Sequence, residues 1–144
     1  MAERLTPAKT AESVTAGHPD KLCDSISDAI LDACLAIDQN ARVAVETLVK
    51  GTEEKAFIVL AGEVTLAGEI DDGEYEAIAR GAASKIGYTD HSIGMDATNP
   101  EMCEVTVLIT TQSQFISQGV DGDMDSQGAG DQGVMFGYAC KETE

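Results

Sequence analysis

Cationic side chains are scarce in this sequence: nine lysines and arginines stand against 26 aspartates and glutamates, a formal net charge of −17. Nucleic acids are bound largely through neutralised phosphates, so the deficit argues against DNA or RNA as a partner. A small polyphosphate stays compatible if divalent metal or basic groups from elsewhere bridge the like charges. Tryptophan is absent, and tyrosine and phenylalanine number three each. No apolar run approaches the roughly 20 residues that span a bilayer, so no membrane partner is expected. The opening MAERLTPAKTAESV lacks the apolar stretch of a secretory signal, and a cytoplasmic location is expected. The four cysteines, Cys23, Cys34, Cys103 and Cys140, form no CxxC pair. Reduced, packed thiols are expected rather than disulfides or a zinc site. Absent too are a Ser-His-Asp arrangement, HExxH, GxSxG, a P-loop and a strand-to-helix GxGxxG.

What is present has the length of one domain, 144 residues with 43% apolar content, enough to bury a core. Pro19–Ile37 predicts a helix, with Leu22, Ile26, Ala29 and Ile30, Ala33 and Cys34, and Ile37 at 3–4 spacing on one buried stripe. Proline suits its first turn, where no backbone donor is lost. Asp24, Asp28 and Asp32 make a second stripe, read as a solvated face. Arg42–Val49 alternates as a strand, Val43, Val45, Thr47 and Val49 on one face and Ala44, Glu46 and Leu48 on the other. Phe57–Thr65 is an apolar strand, with Gly51–Lys55 as the polar turn between the two. A second helix is predicted over about Asp72–Ile86, with Tyr75, Ile78, Ala79, Ala82 and Ile86 inward and Gly87 as its C-cap. Glu104–Thr111 is a third strand. The order helix, strand, strand, helix, strand implies an α+β fold, a small mixed sheet covered on one face by helices. Residues 1–12 read as an arm or short strand. Gln112–Gln132 is polar and glycine-bearing, the kind of stretch that is functional or disordered, and Val134–Ala139 looks like the opening of a further strand.

Two segments carry chemistry. In GHPDK (Gly17–Lys21), Gly17 permits close approach of a ligand and Pro19 opens a helix whose free N–H groups favour an anion. His18 and Lys21 offer donors to phosphate oxygens, and Asp20 offers a hard oxygen to Mg²⁺. A solvated helix start with an incidental histidine reads equally well from five residues. In GAGDQG (Gly128–Gly133), three glycines surround Asp131, either to present it on an unusual backbone or simply to turn into a strand. Glu46 and Glu63 sit in strands, where a buried carboxylate needs a cation or several donors; together with Asp20 they make a cation or ammonium site conceivable. The other histidine, His91, in TDHSIG, is taken as a surface residue.

The segments ESVTAGHPDKLCDSISDAILDA, ARVAVETLVK, AGEVT, KIGY, QSQFISQGV and QGAGDQGVMFGYACKETE, in this order, resemble the N-terminal portion of the methionine adenosyltransferase (S-adenosylmethionine synthetase) family from about Ala11 onward. The resemblance implies a transferase with a three-unit fold and active sites between subunits of a homodimer or homotetramer. It implies residues 1–114 as the N-terminal domain, 115–127 as a flexible active-site loop and 128–144 as the start of the next unit. The implied reaction joins ATP and L-methionine into S-adenosylmethionine, with release of phosphate and pyrophosphate. By motif, His18 would contact the triphosphate near the breaking bond, with Lys21 as a second ATP contact. Asp20 would bind Mg²⁺ and Glu46 would ligate K⁺. Glu63 and Gln112 would contact methionine, and Asp131 would lie near its amino group.

Departures accompany the match. The hairpin GTEEKAF is longer than the family's usual turn, and QSQFI stands where the family commonly has QSPDI. Family members also continue into lysines, arginines and aspartates that hold the triphosphate and a second Mg²⁺. The chain is accordingly expected to be a portion of a longer enzyme and inactive alone. A noncatalytic subunit that pairs with a full-length enzyme is the alternative, and an unrelated Mg²⁺–nucleotide domain a third.

Overall fold

Helix α1 spans Pro19–Ile37 and begins where its sequence says it should: Pro19 occupies the first turn and His18 caps it. Leu22, Ile26, Ile30 and Cys34 are each at most 1% exposed. Burying one such side chain is worth roughly 1.5–3 kcal/mol. The like-charge neighbours Asp24, Asp28 and Asp32, all exposed, cost only a few tenths each. The apolar stripe therefore sets the helix orientation. Ile37, expected on that stripe, is 48% exposed, because the helix stops there. Asp38 returns its N–H to the Cys34 carbonyl, and its carboxylate accepts from the N–H groups of Asn40 and Ala67, both at 2.8 Å. Those two donors hold the Asp38 carboxyl below its ordinary range.

The computed structural model describes residues 13–111 and Val134. The expectations for the N-terminal arm, the Gln112–Gln132 stretch, the active-site loop and the strand at Val134–Ala139 lie outside the described residues, Val134 alone excepted. The chain divides into two units, Met1–Thr110 and Thr111–Glu144, and the elements below belong to the first.

Strands β1 (Arg42–Gly51), β2 (Ala56–Thr65) and β5 (Cys103–Thr110) form a sheet with β2 in the centre. β1 runs antiparallel to β2 and β5 parallel to it, so the sheet is mixed, as expected. The first two strands need only the turn between them, where the Thr52 N–H and the Lys55 carbonyl bond at 2.9 Å. A parallel pair needs a crossover, and helix α2 (Asp72–Ile86) supplies it. Alternation decides the faces. Val45, Ile58, Leu60, Val64 and Cys103 enter the core with the α1 stripe, while Val43, Val49, Val105, Val107 and Ile109 pack against it. The other face carries Ala44, Glu46 and Leu48 of β1, all exposed.

Helix α2 opens on a reciprocal cap: Asp71 accepts from the Glu74 N–H at 2.8 Å, and Glu74 accepts from the Asp71 N–H at 3.0 Å. Its buried residues are Tyr75, Ala79 and Ala83. The predicted Ile78, Ala82 and Ile86 flank this line, partly buried, so the stripe is rotated towards Ala83. Arg80 leaves the same helix to bond the Ala97 and Cys103 carbonyls at 3.1 and 2.7 Å and the Glu76 carboxylate at 2.7 Å. Gly87 closes α2 at φ 120°.

A two-stranded ribbon, β3 (Thr89–Asp90) with β4 (Met95–Asp96), and a 3₁₀ turn over His91–Ile93 follow. His91 corrects the surface reading. It is half-buried, with Nε2 at 3.1 Å from the Glu53 carbonyl, and ties this ribbon to the β1–β2 turn.

Candidate functional site

The segment leading into α1 is held by its own backbone. The His18 N–H donates to the Thr15 carbonyl at 3.0 Å, and the His18 carbonyl accepts the Leu22 N–H at 2.8 Å. His18 adopts an extended backbone, φ −63° and ψ 137°. This lets its ring Nδ1 accept the Asp20 N–H at 3.2 Å. An imidazole in the N-cap role takes one of the donors left free by the first helical turn.

Around it lies an open depression lined by Ser13, Val14, His18, Asp20, Lys21 and Asp24. Lys21 Nζ stands 3.8 Å from Asp24, both side chains more than half exposed; at that exposure the pair contributes little to stability. Lys21 remains available to an anion. Gly17 is open: a Cβ built there meets nothing within 4 Å, and its φ is not positive. Its sequence role, room beside the backbone, fits that geometry. His18, Asp20 and Lys21 are thus brought together in one wall.

Glu46 and Glu63 are elsewhere in the fold, on the sheet face turned away from the core. Glu46 lies opposite Ala61 and Glu63 opposite Ala44. The two carboxylates are diagonal neighbours on adjacent strands, within reach of a shared ligand. Glu46 is exposed and Glu63 half-buried. Glu63 follows Gly62, whose φ of 149° brings β1 and β2 close: a Cβ there would stand 2.0 Å from the Ala44 carbonyl oxygen. Among the described residues no three of His, Cys, Asp and Glu group closely enough to hold a metal ion. Asp20, Glu46 and Glu63 therefore do not form a single cation site within this unit. Gln112 and Asp131 lie outside the described residues.

The described thiols match the expectation of packed cysteines: Cys34 and Cys103 are buried and Cys23 partly so, all three free. Burial pushes each thiol up from its ordinary range, the opposite of an activated nucleophile. Sequence reasoning gave no role to Tyr88. Its hydroxyl donates to the Gly17 carbonyl at 2.5 Å, across 71 residues of chain. KIGY offered a hint of importance, but no local pattern points to a partner that distant.

Over residues 7–114 the chain matches the family described as S-adenosylmethionine synthetase, N-terminal domain. It is 55% identical over 135 residues to an S-adenosylmethionine synthase of Salinibacter ruber, covering 94% of this chain and 32% of that protein. A synthase of the same name from Maridesulfovibrio salexigens is 54% identical over 136 residues, covering 94% and 32%. One from Brachyspira hyodysenteriae is 46% identical over 153 residues, covering 100% and 36%. The chain spans about a third of the length of these curated relatives.

Proposed function

The chain belongs to the S-adenosylmethionine synthetase family and carries its N-terminal domain, and from that premise we propose that it supplies one side of an active site joining ATP and L-methionine. In this reading the methionine sulfur attacks the ribose C5′, a C–S bond forms, the C5′–O bond breaks, and the whole triphosphate leaves. Hydrolysis of the triphosphate gives phosphate and pyrophosphate. Sulfur attacks with its own lone pair and needs no base, which suits a site without an evident one. The site must stabilise a departing polyanion instead.

His18 and Lys21 serve the triphosphate, His18 nearest the breaking bond. Mg²⁺ is usually held by one or two carboxylates completed by waters and substrate phosphates. An exposed Asp20 in the first turn of α1 fits as one such ligand, and the ion when bound would neutralise charge on the triphosphate. Glu46 serves K⁺ as one ligand of several. Glu63, Gln112 and Asp131 serve methionine. The observation that carries this reading is the wall at the start of α1, where the imidazole of His18, the ammonium of Lys21 and the carboxylates of Asp20 and Asp24 line one depression.

The cationic side of the site is sparse. Lys21 is the one lysine or arginine lining that depression among the described residues, in a chain of net charge −17. Each like-charge contact near a surface costs on the order of 1–4 kcal/mol. The remaining positive charge is assigned to the parts of the relatives that this chain does not span. Alone, the chain should not turn over ATP and methionine with Mg²⁺ and K⁺, measured as S-adenosylmethionine formed. Turnover matching a complete enzyme would sink that part of the proposal. Calorimetric ATP binding indifferent to methionine would instead favour a plain nucleotide-binding domain.

A homodimer or homotetramer completes the reading. Leu48 and Leu108, each 58% exposed, stand on the outer sheet face with Ala61 and Val59, which pair with them across β2. Apolar surface gathered in this way marks an interface.

A further inference from the structure

The Gly17–His18 peptide is gripped at both ends. Its N–H donates to the Thr15 carbonyl at 3.0 Å, and its carbonyl accepts the Tyr88 hydroxyl at 2.5 Å. The first contact is local and would travel with the segment. The second comes from a residue 71 positions along the chain, beyond helix α2, and does not.

Tyr88 is itself well anchored. Its N–H bonds the Ala83 carbonyl at 3.2 Å, and its carbonyl accepts the Ala97 N–H at 2.9 Å. It follows the Gly87 cap of α2, and its ring packs beside the core in a wall shared with Pro19, Leu22, Val49 and Met95. A phenol fixed in this way sets where the Gly17 carbonyl sits, hence the plane of the peptide from which His18 springs.

That plane matters for the imidazole. With Nδ1 accepting the Asp20 N–H at 3.2 Å, the neutral ring must carry its proton on Nε2. The nitrogen left for a ligand in the depression is then a donor, the polarity that a phosphate oxygen requires. A His18 free to turn would lose the cap and populate both tautomers.

We propose that Tyr88 is a positioning residue for His18: its hydroxyl fixes the Gly17–His18 peptide and thereby holds the imidazole as the Nε2–H donor. The use of that donor on a triphosphate rests on the function proposed above; the clamp and the tautomer do not.

The test is nitrogen NMR of the ¹⁵N-histidine-labelled chain at about pH 8, where an ordinary imidazole is neutral. The chain has 2 histidines, and His18→Gln assigns the pair. In the unmodified chain His18 should show a pyrrole-type Nε2 and a pyridine-type Nδ1. In Tyr88→Phe the two signals should move towards each other as the tautomers average. Tyr75→Phe removes a phenol hydroxyl from the core and should leave the His18 pattern unmoved, which separates positioning from general loosening. An Nδ1–H ring or an averaged pattern in the unmodified chain overturns the proposal even if Tyr88→Phe fails to fold. So does an unchanged pattern in a folded Tyr88→Phe. Mg²⁺ with inorganic tripolyphosphate should shift the His18 Nε2 signal, with an affinity roughly three- to tenfold weaker in Tyr88→Phe, as loss of one hydrogen bond allows. No shift in the unmodified chain counts against the triphosphate reading and leaves the clamp to be judged by the tautomer.

Discussion

At the scale of single residues, environment and not residue type decides what a titratable group does. Tyr75 is 5% exposed. Burial first, then the nearby Cys34 thiol, pushes the phenol up to about 12. An unfolded tyrosine ionises near 10. Between those values the unfolded chain has shed its proton and the folded one keeps it, so this group's contribution to stability is lost as pH rises from about 10 to about 12. Below about 10 the contribution is intact and flat. Denaturant unfolding at intervals across that range should therefore give a shallower alkaline decline in Tyr75→Phe than in the unmodified chain. An identical slope would show that Tyr75 ionises as freely in the fold as outside it. The Cys34 thiol is raised by the same burial, and this keeps it a packing group.

At the scale of elements, α1 was legible to its ends and the sheet was legible strand by strand, because a repeat of 3.6 or 2 residues is local. The stripe at Leu22, Ile26, Ile30 and Cys34 and the alternation in β1 are that repeat, written by burial. The reciprocal cap Asp71/Glu74, an acid three residues ahead of a glutamate at a helix start, is a local pattern and in that sense legible, although only the structure identified it. Gly62 was not. Read along the chain it continues an apolar strand, yet it holds φ 149° with the Ala44 carbonyl oxygen 2.0 Å from where a Cβ would be. The reason lies in the neighbouring strand. Gly62→Ala should cost about 2–4 kcal/mol, from backbone strain together with a contact that only movement of β1 can relieve. Chemical denaturation measures this, and a cost under about 0.5 kcal/mol would mean that the strands separate easily there. Glu63 adjoins Gly62, so the same substitution should also disturb the carboxylate proposed to serve methionine.

At the scale of the molecule, two opposed surface properties meet. The outer sheet face presents Leu48 and Leu108, each 58% exposed, while the chain as a whole carries −17. Apolar area favours association, and net charge opposes it at low ionic strength. Light scattering should therefore find a mass above the 15.1 kDa of one chain that increases with salt. Leu48→Glu should return it towards the monomer by placing a charge in the patch. A monomer at all salt concentrations would remove this face as an interface. No helix among the described residues is long and apolar enough to cross a membrane, so the patch is not part of a helical span.

The sequence alone determined the two helices, the three strands of the main sheet and the family, because each of these is carried by residues close together in the chain: GHPDK at a helix start, alternating valines, the 3–4 stripe of α1. The tertiary structure decided what joins residues that are distant in sequence. It placed β5 beside β2, put Glu46 and Glu63 on the face opposite the core, set His91 half-buried against the Glu53 carbonyl and laid the Tyr88 hydroxyl on Gly17. Such contacts leave no periodic trace, because the partner of a hydrogen bond 71 residues away is chosen by how helices and strands pack.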